Sequence, residues 1–100
     1  MARFDVFSDP RGTENLLVVV QSDDFERLDT RLAIPLLPEH PQRRPLGKLN
    51  PVFEISGRRY ALYTQHMLAV PKQALGTRVT NIRDVRDQIT VAINFLMQGF

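Results

Sequence analysis

The side chains that could carry acid–base or metal chemistry are few and scattered in this sequence. It contains no cysteine and only two histidines, His40 and His66. No His-x-x-x-His or Glu-x-x-His spacing joins either histidine to further metal ligands. An isolated histidine of this kind is typically a solvated surface residue. We therefore expect no metal, no cofactor and no catalytic residue, and the sequence does not predict an enzyme.

Other patterns that would carry chemistry are equally sparse. There is no phosphate-binding glycine loop and no Gly-x-Ser-x-Gly motif. Asp23 and Asp24 are adjacent acids after an apolar run, and such neighbours usually face apart or lie in a solvated turn. The net charge is only +2, and the basic residues form no continuous stripe. Direct binding of nucleic acid is therefore not favoured.

Length and composition indicate the number of domains and the compartment. One hundred residues with 43% hydrophobic types fit a single compact domain over residues 1–100. The lack of cysteine fits a reducing cytoplasm, and the N-terminal residues show no apolar stretch of signal-peptide length. No window approaches the roughly 18 uncharged apolar residues needed to span a bilayer. We expect a cytoplasmic protein without a membrane segment.

The last six residues are unusually apolar for the end of a chain. Large apolar side chains reach the terminus at Phe95, Leu96, Met97 and Phe100, whereas most domains fray into polar residues there. Periodicity alone leaves two explanations open. These side chains either close the barrel or a dimer seam, or they form an exposed surface for a partner.

The elements that would position these residues begin with short strands. Residues 4–8 and 16–20 flank turn-forming residues and predict a hairpin. The second of these strands is apolar on both faces, so it is predicted to be central. A short apolar segment at residues 32–34, stopped by Pro35, predicts an edge strand.

The middle of the chain predicts a loop and a second hairpin. Residues 37–50 hold three prolines and a glycine and predict an exposed loop. Residues 52–55 and 59–64 flank a turn in which Gly57 supports a positive φ, so they predict a hairpin. A further short strand is an option at residues 67–70.

The clearest pattern lies near the C-terminus. Thr80 or Asn81 is predicted to cap the start of a helix that runs to about Met97, and Gly99 to terminate it. Because the strands precede one helix without alternation, the sheet is predicted to be antiparallel. The apolar residues recur at spacings of three and four and form one helical stripe, which consists of Ile82, Val85, Ile89, Ala92, Ile93 and Leu96.

Five short segments, taken together, resemble the CcdB toxins of toxin–antitoxin pairs. The order of the segments, their spacing and their distance from the C-terminus agree with that family along the whole chain. The segments are Val20-Gln21-Ser22-Asp23, Ile34-Pro35-Leu36, Leu49-Asn50-Pro51-Val52, Val70-Pro71 with Gly76, and Ala92-Ile93-Asn94 with Gly99.

This resemblance implies both a fold and a function. The fold would be mainly β, an SH3-like antiparallel β-barrel with one long C-terminal α-helix, assembled as a homodimer. The protein would bind the DNA gyrase A subunit and trap gyrase on cleaved DNA. A CcdA-like antitoxin would neutralise it, and the pair would repress its own operon, so that DNA is contacted only indirectly, through the antitoxin complex.

The resemblance also assigns a gyrase-binding surface. Phe100 would supply rigid apolar area, Gly99 would let backbones approach closely, and Asn94 would fix the register by hydrogen bonding. Two positions depart from the family. Gln98 stands where these toxins typically carry tryptophan, and Asp24 where they carry an apolar residue. The full predicted contact set is Asp24, Phe25, Asn94, Met97, Gln98, Gly99 and Phe100.

Two alternative functions stay open. MazF/Kid-like toxins share this barrel and cleave messenger RNA, but the N-terminal segment lacks their Arg-Gly-Asp-x-x-x-Val and Arg-Pro-x-x-Val signatures. The other alternative is a CcdB-like protein that binds antitoxin without being toxic, which the glutamine at position 98 motivates. Expression that leaves cells viable would favour this last alternative.

Overall fold

The computed structural model describes residues 1–99 as a curled antiparallel half-barrel with one C-terminal helix, which confirms the predicted fold class. Hydrogen bonding arranges the strands in the order β4-β5-β3-β2-β1-β7, and β6 also pairs with β3. The elements are β1 (Asp5–Ser8), β2 (Leu16–Val19), β3 (Thr30–Pro38), β4 (Val52–Ile55), β5 (Arg58–Leu62), β6 (Leu68–Pro71), β7 (Arg78–Asn81) and α1 (Arg86–Gln98).

Both predicted hairpins are confirmed. β1 pairs with β2 so that Val6 lies opposite Val18, and every residue of β2 is buried between β1 and β3. β4 pairs with β5 around a two-residue turn. Ser56 and Gly57 both adopt positive φ there, 53° and 80°, which matches the right-handed twist of the flanking strands. The optional strand at residues 67–70 is also present, as β6.

The prediction that residues 32–34 form a short edge strand is wrong. β3 is nine residues long and central, and it passes through Pro35. Proline is tolerated there because β3 changes partner at this point, pairing with β6 up to Ala33 and with β5 from Leu36. The missing N–H falls in the gap between those partners, while the Pro35 carbonyl accepts from the Tyr63 amide at 2.9 Å. The predicted loop consequently starts after Pro38.

The predicted start of the helix is wrong as well. Thr80 and Asn81 belong to β7, which the sequence did not predict, and they pair with β1. Asn81 still organises the entry to the helix, because its Oδ1 accepts from the Arg83 amide at 2.9 Å at the beginning of a 3-10 turn. α1 follows from Arg86. Its end is as predicted: Gly99 has φ of 80°, and its amide donates to the Phe95 carbonyl at 2.8 Å.

The helical stripe closes the open side of the sheet. Ile89 and Ala92 are completely buried in the main core, and Ile93 packs against it. Ile82 and Val85 also pack against the core, but they lie before α1 and not on the helix as predicted. The sheet contributes Val6, Val18, Ile34, Leu36 and Leu62, all fully buried, to the same core. The last member of the stripe, Leu96, is exposed, so the apolar end of the helix extends beyond the core. No helix in residues 1–99 is long and apolar enough to cross a membrane.

Candidate functional site

One part of the predicted contact lies at the end of α1. Asn94, Met97 and Gln98 are exposed, and their spacings of three and four residues place them on one side of the helix. Met97 has 68% of its surface exposed although its side chain is apolar. Gly99 follows, also exposed. Phe100 was predicted to complete this group and lies outside the described residues.

The other part lies on the connection between β2 and β3. Asp24 and Phe25 belong to a 3-10 turn, Asp23–Phe25, and both side chains are exposed. Phe25 has 56% of its surface exposed. Adjacent acids in a solvated turn were expected at Asp23 and Asp24, and this expectation is confirmed.

Short polar contacts define this turn. The Ser22 hydroxyl accepts from the Asp24 amide at 3.2 Å and caps the turn. The Asp23 carboxylate accepts from the Arg3 amide at 2.8 Å, which attaches the turn to the N-terminal segment. Arg3 itself donates from Nε to the Val20 carbonyl at 3.0 Å. The turn is therefore anchored at the end of β2.

The two parts are separate segments of surface within one chain. No hydrogen bond in residues 1–99 links the 3-10 turn to the end of α1. Each segment presents one large apolar side chain, Phe25 or Met97, beside polar neighbours. Such an arrangement suits contact with a macromolecule, since a small ligand requires a concave site that surrounds it.

An open cavity of about 800 Å³ lies elsewhere, between the N-terminal residues, β1, β7 and the 3-10 turn that precedes α1. One of its lining residues is Asp5, whose side chain is only 4% exposed. The Asp5 carboxylate accepts from the Ala2 amide at 2.8 Å, the Arg78 Nε at 3.1 Å and the Asn81 Nδ2 at 3.0 Å. The cavity is lined by Met1, Ala2, Asp5, Phe7, Arg78, Asn81, Arg83 and Asp84.

The hydrogen bonds to Asp5 make it a structural anion. Burial acts to raise the pKa of its carboxyl group, but the bonds from Ala2, Asn81 and Arg78 outweigh this and hold the pKa below its usual value of 3.8. A general base works best with a pKa near the operating pH. The geometry therefore favours a role for Asp5 in joining strands. Sequence reasoning missed this group because its partners on β7 lie more than 70 residues away.

The histidines lie where they were expected. His40 and His66 are both exposed. His40 Nδ1 accepts from the Gln42 amide at 3.1 Å, and the ring of His66 lies 5.4 Å from that of Tyr63. Within residues 1–99, no three histidine, aspartate or glutamate side chains come together in a group that could hold a metal.

Solved structures share this fold. An endoribonuclease in complex with its cognate antitoxin, from a mycobacterial species, aligns with a TM-score of 0.79 and 15% sequence identity. The alignment covers 97% of this chain and 94% of the endoribonuclease chain. Among curated proteins, none matches the sequence significantly. The architecture is thus also that of an endoribonuclease that binds a cognate antitoxin.

The family follows from the sequence itself. The model of the family described as CcdB protein matches residues 3–99. The chain therefore belongs to the CcdB family of toxin–antitoxin toxins.

Proposed function

We propose that this protein is the toxin of a type II toxin–antitoxin pair and acts on DNA gyrase in the cytoplasm. It binds the gyrase A subunit and traps the complex of gyrase with cleaved DNA. A CcdA-like antitoxin neutralises it, and the two together repress their own operon, with DNA contacted through the antitoxin complex. Membership of the CcdB family over residues 3–99 is the observation that carries this proposal.

The exposed apolar residues support the proposed contact surface. Phe25 and Met97 leave more than half of their surface in solvent, at two of the positions where the family resemblance locates gyrase binding. Burying such side chains in a partner releases water and supplies most of the affinity of a typical interface. Asn94 and Gln98 lie beside Met97, and their amide groups offer hydrogen bonds that fix the orientation of the bound partner.

The glutamine at position 98 changes the kind of contact that this surface can make. A glutamine supplies hydrogen bonds in place of the large apolar area of the family tryptophan. The exposed Phe25 and Met97 then carry more of the apolar contact, together with the predicted contribution of Phe100. We therefore propose a gyrase contact centred on these side chains.

The proposal includes a homodimer, which offers two copies of each contact segment. Stable dimers bury roughly 800 Å² on each partner and use apolar surface at the centre. Further exposed apolar residues near the barrel and helix, including Leu32, Leu68 and Val91, provide such surface. We expect Ile93 to contribute as well. Light scattering at micromolar concentration should give twice the mass of the chain, and a monomer would contradict this part.

The endoribonuclease alternative has one observation in its favour, the shared fold at a TM-score of 0.79. At 15% identity the likeness extends to the fold alone. Incubation of the purified protein with messenger RNA separates the two functions. Cleavage of RNA without any effect on gyrase would support the alternative.

Paired variants test the gyrase contact. Phe25→Ser removes an apolar side chain that is 56% exposed, and Leu46→Ser removes one that is 60% exposed in the predicted loop. Co-purification with the gyrase A subunit should weaken at least tenfold for Phe25→Ser and stay unchanged for Leu46→Ser. Equal effects of the two variants would contradict the assignment of the surface.

A further inference from the structure

Arg31 is a buried arginine with an unusual set of partners. The residue is only 6% exposed although it carries a full charge. Its Nη1 donates to the carbonyls of Leu28 at 2.6 Å and Thr30 at 2.9 Å, and its Nη2 to the carbonyl of Glu26 at 2.6 Å. Within residues 1–99, all of its side-chain hydrogen bonds go to backbone carbonyls, two in the connection between β2 and β3 and one at Thr30, the first residue of β3.

The backbone of Arg31 is held in place by the sheet. Arg31 lies in β3 directly opposite Val70 of β6. Val70 is buried with Leu17 and Ala33 in an apolar cluster separate from the main core. A guanidinium has five donors in a rigid fork, so three carbonyls that it engages at once are held in one geometry. Arg31 thus transfers the rigidity of β3 to the connection that precedes it.

Gln21 restrains the same connection from its other end, near β2. It follows β2, and its Nε2 donates to the carbonyls of Phe25 at 3.1 Å and Thr30 at 3.5 Å. Its Oε1 accepts from the Leu32 amide at 3.2 Å. Gln21 and Arg31 together engage three carbonyls of the connection, those of Phe25, Glu26 and Leu28, and the carbonyl of Thr30 at the start of β3.

These polar contacts carry the shape of the connection because apolar packing does not. Every residue from 23 to 30 is exposed, including the apolar Phe25 and Leu28. A segment without buried side chains gains little free energy from burial to offset the entropy of ordering it. Hydrogen bonds from the buried Arg31 and the half-buried Gln21 supply the missing restraint.

We propose that Arg31 and Gln21 are positioning residues that hold the connection between β2 and β3 in the shape that presents Asp24 and Phe25 to the partner. This inference rests on the proposed function, because it takes the gyrase A subunit as that partner. Neither residue needs to touch gyrase. We call the hydrogen bonds from Arg31 and Gln21 to this connection the brace. They order the connection before binding and so reduce the entropy lost on binding; without the brace the affinity falls.

The brace is tested first without gyrase. Arg31→Met keeps the apolar stem and removes the guanidinium, whereas Arg27→Met makes the same change at an exposed arginine of the same connection. Amide hydrogen exchange of residues 24–30 should quicken at least tenfold in Arg31→Met and stay unchanged in Arg27→Met. Gln21→Ala provides a second variant should Arg31→Met fail to fold. Unchanged exchange in the folded variants would overturn the brace.

A double-variant comparison then tests the link to gyrase. Arg31→Met should weaken binding of the gyrase A subunit roughly tenfold in the native chain. In a Phe25→Ser background the same change should have little further effect, because the side chain to be positioned is gone. Arg31→Lys should not restore binding, since an ammonium group lacks the fork.

The outcomes distinguish a failure of the positioning role from a failure of the proposed function. If the native chain binds gyrase and the effects of Arg31→Met and Phe25→Ser are additive, the positioning role is wrong and the proposed function stands. If the native chain does not bind gyrase, the proposed function is wrong, and with it the identity of the partner. Hydrogen exchange then decides the brace alone.

Discussion

Asn81 in β7 donates from Nδ2 to the Asp5 carboxylate in β1 at a distance of 3.0 Å, across 76 residues of sequence. The same amide nitrogen donates to the Arg3 carbonyl at 3.0 Å. With its Oδ1, Asn81 accepts from the Arg83 amide and directs the chain towards the helix. One side chain therefore joins the N-terminal strand, the last strand and the entry to α1.

Asn81→Leu should lower the free energy of unfolding by about 1–3 kcal/mol, because it leaves the buried Asp5 carboxylate without one of its donors. Urea unfolding measures this change. Gln88→Leu, which also replaces an amide side chain with leucine but at an exposed position of α1, serves as the control and should change stability by less than about 0.5 kcal/mol. Equal stability of Asn81→Leu and the native chain would show that Asp5 does not depend on this contact.

Asp9 links stability to pH. Its carboxylate accepts from Arg11 at 3.0 and 3.1 Å and from the Thr13 hydroxyl at 2.6 Å, within the loop between β1 and β2. The hydrogen bond from Arg11 is the main cause that lowers the pKa of Asp9 from 3.8 to about 2, although burial opposes it. The stability it contributes is complete above pH 4 and is lost as the pH falls towards 2.

Asp9→Asn should therefore cost roughly 1–2 kcal/mol of stability at pH 7 and flatten the loss of stability between pH 4 and pH 2. Unfolding midpoints in urea at pH 7, 4 and 2.5 measure it. Asp29→Asn, at an exposed aspartate, is the matched control. If stability falls equally steeply between pH 4 and pH 2.5 in Asp9→Asn and in the native chain, Asp9 is not the group that links stability to pH.

Gly99 tests the end of the helix. Among residues 1–99, a Cβ at this position would meet no atom within 4 Å, so a substitution there acts on this part of the chain through the backbone φ of 80°. Gly99→Ala should cost about 1 kcal/mol and loosen the last turn of α1, while Gly99→Asn should cost less, because asparagine tolerates the left-handed region. Amide exchange at Met97 and Gln98 reports the loosening. Identical exchange in both variants would argue against a helix that ends at Gly99.

Removal of residues 98–100 separates binding from folding. The truncated protein should still fold and dimerise, because the helical residues of the core, Ile89 and Ala92, lie upstream, and its stability should fall by no more than about the 1 kcal/mol expected for loss of the Gly99 cap. Gyrase inhibition should be lost. Circular dichroism, light scattering and a supercoiling assay measure the three properties, and unchanged inhibition by the truncated protein would overturn the assignment of the terminus.

The spacing of apolar residues within one element was sufficient to predict the strands and the helix that bury a regular apolar face. The apolar run of β2 and the stripe through Ile89 and Ala92 are read within a single element, and both are confirmed. β7 was missed because its sequence, RVTN, is polar and half-exposed and becomes a strand only by pairing with β1. Pro35 looked like a strand end because the change of partner strands is a tertiary feature.

The candidate site shows the same division. The resemblance to CcdB toxins predicts a contact that includes Asp24, Phe25, Asn94, Met97, Gln98 and Gly99, and the structure places all six on the surface. The hydrogen bonds from Arg31 to the carbonyls of Glu26 and Leu28, next to this surface, could not be predicted. A buried arginine that donates to carbonyls of the preceding connection leaves no periodic or motif signal, since charged residues are normally solvated.

The most direct test of the proposed function is incubation of the purified protein with gyrase from the source bacterium and supercoiled plasmid, followed by detergent denaturation and a gel. We predict that linear DNA accumulates with the native chain and does not accumulate with the chain truncated after Met97. A folded dimer that produces no linear DNA would contradict the proposal.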